Sequence, residues 1–143
     1  MTRSADIDFD FSRAVSVSEI LHSLSIEGVS LHENNRISYV LDRDESFDWV
    51  QAHSSDINRI ISAADESDPE GTTFVISISF SGTRVGGEIL FHKGRRAVSF
   101  MASVNRRYIS GTSVFCDFGW YLERLVPALE PFGLSEITAR DYK

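Results

Sequence analysis

Residues 72–104 read TTFVISISFSGTRVGGEILFHKGRRAVSFMASV, and this stretch decides the fold of the 143-residue chain. Phe74, Ile76, Ile78 and Phe80 alternate with Val75, Ser77 and Ser79. A period of two sends alternate side chains to opposite faces of a strand. Ser81-Gly82-Thr83 turns the chain into a second run over 84–92. Lys93-Gly94 turns it again into 95–104, where Val98, Phe100, Ala102 and Val104 share a face. Connections this short join antiparallel neighbours, because a parallel return needs a long crossover. The stretch is therefore an antiparallel meander. Within it, Gly86-Gly87 marks a bulge or a close backbone approach.

Working backwards, Phe47, Val50, Ser54, Ile57, Ile61 and Ala64 step by three and four residues. That spacing predicts an amphipathic helix capped at Ser46 and broken by Pro69 and Gly71. Residues 29–41 read as a hairpin turning at Asn34-Asn35. Ser16 and Glu19 have capping-box spacing ahead of Ile20, Leu21 and Leu24, a short helix stopped by Gly28. Residues 1–14 alternate acid and apolar, as an edge strand or a loosely docked tail would. Working forwards, 105–115 is another strand or a long loop. Asp117 caps a helix carrying Phe118, Leu122, Leu125 and Leu129, which Pro127 should kink or end early. Residues 134–139 supply a closing strand. The expected class is α+β: one domain over 1–143, a mainly antiparallel sheet, and about three helices packed on one face.

Composition narrows the function classes. The chain is 42% hydrophobic and 24% charged, with ten Phe, ordinary proportions for a globular protein rather than a disordered one. Cys116 is the only cysteine, so no intrachain disulfide forms. The N-terminal stretch carries acids where a signal peptide needs an apolar core, and no run approaches a membrane span. A cytoplasmic location is expected, with no membrane partner.

No motif for catalysis stands out. His22, His32, His53 and His92 are scattered, and His53 with Asp56 is the nearest thing to a converging pair, so no metal is expected. Cys116 precedes a helix N-terminus but is flanked by Phe115, Asp117 and Phe118, the setting of a core thiol. The glycines at 82–87 lack the Gly-Lys-Ser/Thr of a phosphate loop, and there is no Gly-x-Ser-x-Gly elbow. The expectation is no enzyme and no cofactor. Arg84, Lys93, Arg95, Arg96, Arg106 and Arg107 gather around the meander's turns, with Tyr108 beside them. A net charge of −7 nevertheless opposes binding to nucleic acid.

The charge itself is uneven. Residues 1–71 hold 15 Asp and Glu against 5 Lys and Arg, and residues 72–143 hold 6 against 9. Asp42, Asp44, Glu45 and Asp48 precede the predicted second helix, where the helix dipole welcomes them. Asp65, Glu66, Asp68 and Glu70 follow it, against that preference. At 1.5 Å per residue over roughly eighteen residues, the two groups would lie about 27 Å apart.

A small, acidic α+β domain without catalytic motifs resembles the immunity proteins of bacterial toxin systems, contact-dependent growth inhibition included. The resemblance covers size, charge and element order. It implies a non-enzymatic protein that binds and neutralises a cognate toxin domain, a basic nuclease for instance. Asp42, Asp44, Glu45, Asp48, Asp65, Glu66, Asp68 and Glu70 would then face the toxin's cationic cleft, with Trp49 as an aromatic anchor or a flanking core residue. Two alternatives stay open. One is a secretion or effector chaperone using an exposed strand edge such as 72–80. The other is a ligand-binding or enzymatic domain with its pocket over Gly86-Gly87. The sequence leaves the oligomeric state open.

Overall fold

A computed structural model describes residues 3–112 and 114–143. Among these, eight strands and three α-helices follow one another along the chain. They are β1 (Ser4–Phe11), α1 (Val17–Ile26), β2 (Val29–Ser30), β3 (Arg36–Asp42), β4 (Val50–His53), α2 (Ile57–Glu66), β5 (Thr73–Phe80), β6 (Gly86–Phe91), β7 (Ala97–Val104), α3 (Phe118–Leu129) and β8 (Leu134–Tyr142). One antiparallel sheet runs β4-β3-β5-β6-β7-β1-β8, with β2 added to β5. The class is α+β.

The meander forms as its alternation requires. Phe74 faces Phe91 and Ile76 faces Ile89 across β5 and β6, while Ile89 faces Phe100 and Phe91 faces Val98 across β6 and β7. These side chains join Ile20, Leu21, Leu24, Ile60, Tyr121, Leu125 and Leu129 of the helices in one core. Tyr121 is fully buried, and its ring meets Phe80, Phe100 and Trp120 at centroid distances of 5.1–5.8 Å. The ladder slips between Gly86 and Glu88, the bulge that the paired glycines predict.

The N-terminal alternation forms β1, but in the interior of the sheet rather than at its edge or as a tail; residues 1 and 2 lie outside the described residues. β7 pairs on one side and β8 on the other. Ile7, Phe9 and Phe11 are at most 5% exposed and supply the centre of the core. Asp6 and Asp8 project from the other face and bind Arg140 of β8 at 3.1 and 3.0 Å.

Three further expectations need correction. Asn34 and Asn35 do form the expected turn, both with positive φ, yet Val29 and Ser30 pair with Phe80 and Ser79 of β5, not with β3. β3 occupies β5 only over residues 73–76, which leaves the far end of β5 open to β2. The second helix begins at Ile57, not at Ser46. Residues 50–53 instead pair with the free edge of β3, and the positive φ of Glu45 and Phe47 is incompatible with a helical turn there. Because β5 lies between β3 and β6, residues 72–80 present no free edge.

At α3, Asp117 caps as expected, accepting from the Trp120 amide at 3.3 Å. The helix runs through Pro127 to Leu129, so the missing proline donor falls within its last turn. The described part of 105–115 is a loop, held by a bridge between Tyr108 and Cys116. Among the described residues, no helix is long and apolar enough to cross a membrane.

Candidate functional site

The loop between β3 and β4 is built by its own carboxylates. Asp42, at the end of β3, is 4% exposed and accepts from the Phe47 amide at 3.2 Å. Asp44 accepts from the Ser46 amide at 3.2 Å and its hydroxyl at 2.7 Å. The same hydroxyl lies 3.1 Å from Asp48. The two Ser46 donors hold the Asp44 carboxyl below its ordinary range, so it stays charged at neutral pH. Ser46 thus organises a turn instead of capping a helix.

Phe47 and Glu45 occupy left-handed backbone, at φ 50° and 64°. Such conformations cost non-glycine residues roughly 1–3 kcal/mol and persist where neighbours enforce them. The consequence is display. Phe47 is 44% exposed, Trp49 51% and Val50 43%. Trp49 is therefore a surface residue, not a flanking core one. Phe47 and Val50 join it, although helical spacing predicted them on a buried face. A groove of about 440 Å³ separates this loop from α2, floored by Leu41, Ile60 and Ala63.

The second acidic group has largely internal work. Asp65, in the last turn of α2, reaches the start of α1. Its carboxylate accepts from the Val17 amide at 2.8 Å and the Ser18 amide at 3.1 Å. Ser16 meanwhile accepts from the Glu19 amide at 3.3 Å. An acid at the unfavourable end of one helix is thus the N-terminal cap of another. Asp65→Ala is expected to lower stability by about 1–2 kcal/mol in urea denaturation, with Asp65→Asn recovering part of it. Equal stability of the alanine variant would contradict this capping role.

Asp68 and Glu70 act electrostatically, without direct contact, on a buried cation. Arg95 is 4% exposed and donates to the Thr72 carbonyl at 2.6 Å, the Thr72 hydroxyl at 2.8 Å and the His92 carbonyl at 3.1 Å. Burial pushes its pKa down, and the fields of Asp65, Asp68 and Glu70 oppose that shift. Glu66 is exposed.

The turn between β6 and β7 draws the two groups together. Lys93 pairs with Glu45 at 3.6 Å, and the Gly94 amide donates to the Pro69 carbonyl at 2.7 Å. Both groups therefore lie at one end of the sheet, not about 27 Å apart along a helix axis. The expected basic cluster, by contrast, divides. Arg95 is interior, Lys93 is paired, and Arg96 donates to the Ser12 carbonyl at 2.7 Å. Arg106 and Arg107 belong to the opposite end, where Arg107 and Arg124 stack on Trp120 at 5.3 and 3.7 Å.

Two other places hold chemically capable groups. Cys116 is 1% exposed, and burial drives its thiol up to about 11, with Arg106 opposing and Asp141 and Asp117 reinforcing the shift. It is a protonated core thiol at neutral pH. The folded state holds this proton more tightly than the unfolded one, so the contribution to stability is complete below pH ~9 and is lost as pH rises towards about 11. Alkaline denaturation should therefore be shallower in Cys116→Ala than in the parent. A groove of about 880 Å³ also lies over Gly86 and Gly87, lined by Ser38, Ser77, Ser79 and Glu88 with Arg36 and Arg84 at its margin. Among the described residues, no three His, Cys, Asp or Glu side chains converge as a metal centre requires.

No family model, curated protein or solved structure gives a significant match to this chain.

Proposed function

We propose that this chain is a non-enzymatic binding protein of the toxin-immunity type, which neutralises a basic toxin domain docked on the 42–50 loop. The observation that supports this reading is the exposed trio Phe47, Trp49 and Val50, set among Asp44, Glu45 and Asp48. Large aromatic side chains at the centre of a patch supply most interface energy, and surrounding charges steer the encounter. The loop also holds its shape through internal hydrogen bonds, which lowers the ordering cost on binding.

The test is a binding measurement against the protein encoded beside this one, with its toxicity scored in cells. Trp49→Ala should weaken the complex by about 30-fold or more, roughly 2 kcal/mol, with an unchanged melting temperature. Glu45→Lys should instead slow association and flatten its salt dependence. Wild-type affinity in both variants would remove this surface from the proposal.

The groove over Gly86-Gly87 favours a second reading, a site for a small polar ligand. Loss of a ligand-induced thermal shift in Ser77→Leu, with toxin protection intact, would separate that site from the loop.

A further inference from the structure

The two edges of the sheet differ. One is blunted by the four-residue β4 and the two-residue β2. The other is β8, nine residues long, bonded to β1 and, among the described residues, to no other strand. Residues 135–140 of β8 are all exposed, and none is proline or glycine. A long open strand of this kind is a template for adding another strand.

Its charges carry an unresolved conflict. Register places Glu136 directly opposite Asp10, and Arg140 opposite Asp6. Arg140 bonds Asp6 and Asp8, but Glu136 has no cation within 4.0 Å among the described residues. Like charges directly opposite one another destabilise a strand pair. A cation supplied from beyond the edge would relieve this one.

We propose that the edge of β8 pairs antiparallel with β8 of a second copy, about a two-fold axis at Thr138. Thr138 is the middle residue of Leu134–Tyr142, and the pairs from Glu136 to Arg140 fall in the regular part of the strand, past the register shift between Leu134 and Glu136. Glu136 and Arg140 stand two residues either side of it. In a two-fold pair each therefore faces the other across the new ladder, twice. Ile137, 40% exposed on the helix side, meets Ala139 of the second copy. A two-fold edge pairing keeps like faces together, so centres at neighbouring residues are the competing registers. Centring on Ile137 sets Glu136 against Thr138, and centring on Ala139 sets it against Tyr142. Only the Thr138 centre gives Glu136 a cation. The resulting interface is self-complementary and closed, which limits growth to a dimer. The proposal is independent of the partner loop, which lies on the β3–β4 side of the sheet.

Sedimentation velocity over a concentration series should show the 16.0 kDa mass doubling. Glu136→Arg, folded by circular dichroism, should weaken dimerisation by about tenfold or more, because Arg then faces Arg. Directly opposed residues bring Cα atoms to about 4.5–5.5 Å, within disulfide reach. Thr138→Cys should therefore cross-link to itself on oxidation while buried Cys116 stays silent. Ser135→Cys should not, since the register sets it against Asp141. A monomer at every concentration would overturn the proposal, and so would an undiminished dimer in Glu136→Arg or equal cross-linking at both positions.

Discussion

Gly87→Ala is expected to cost about 3 kcal/mol or more, a large share of the roughly 5–15 kcal/mol by which a domain is stable. A Cβ on Gly87 would overlap the carbonyl oxygen of Met101 and stand 2.9 Å from the Phe100 ring. Neither neighbour can retreat. Met101 also faces Asp6 of β1 and Phe100 faces Ile7, so β7 is held on both sides. The prohibition is one of space, because Gly87 does not have positive φ. Gly82 makes the opposite case: its φ is +78°, but nothing lies within 4 Å of an added Cβ. Gly82→Ala should therefore cost only about 1–2 kcal/mol, for the left-handed backbone alone. Urea denaturation of the two variants separates the mechanisms. Equal losses would mean that the bulge relaxes and that close packing does not explain the glycine pair.

What the sequence reveals here follows from how local each cause is. The meander is legible because its strands are adjacent in sequence and joined by tight turns. The position of β1 is not, because its partners are β7 and β8, contributed by the far half of the chain. Residues 47–64 mislead for a related reason. Phe47, Val50, Ile57 and Ile61 do fit a helical period, but β3 offers an open edge that captures 50–53. That capture turns Phe47 and Val50 outward and creates the apolar display around Trp49. The clustered Asp, Glu and Ser at 42–48 carried a turn signal that could have argued against a helix there. The role of Asp65 has no local signal at all, since the amides it caps lie 47 and 48 residues away. Its placement against the helix dipole was the only hint, and its resolution is tertiary.

Arg95→Met should be nearly as damaging as Gly87→Ala, at about 3 kcal/mol, and its salt dependence identifies the cause. The guanidinium fork satisfies both oxygens of Thr72 and the His92 carbonyl, so a thioether of similar length leaves buried acceptors without this donor. It also removes the cation whose charge Asp65, Asp68 and Glu70 favour. Those carboxylates would then repel one another without compensation. Added salt screens that repulsion, and the gap between variant and parent should narrow. A gap independent of salt would assign the loss to hydrogen bonds alone. Arg95→Lys should recover only part of the stability, because one ammonium cannot reproduce the fork. The same variants divide the acidic end by role. If the carboxylates near Arg95 serve the fold while Asp44, Glu45 and Asp48 serve the proposed partner, folded Arg95→Lys should bind that proposed toxin partner as the parent does. Glu45→Lys should fail to do so at unchanged stability. The reverse outcome would move the binding surface to residues 65–70 and leave the exposed aromatic loop without a function.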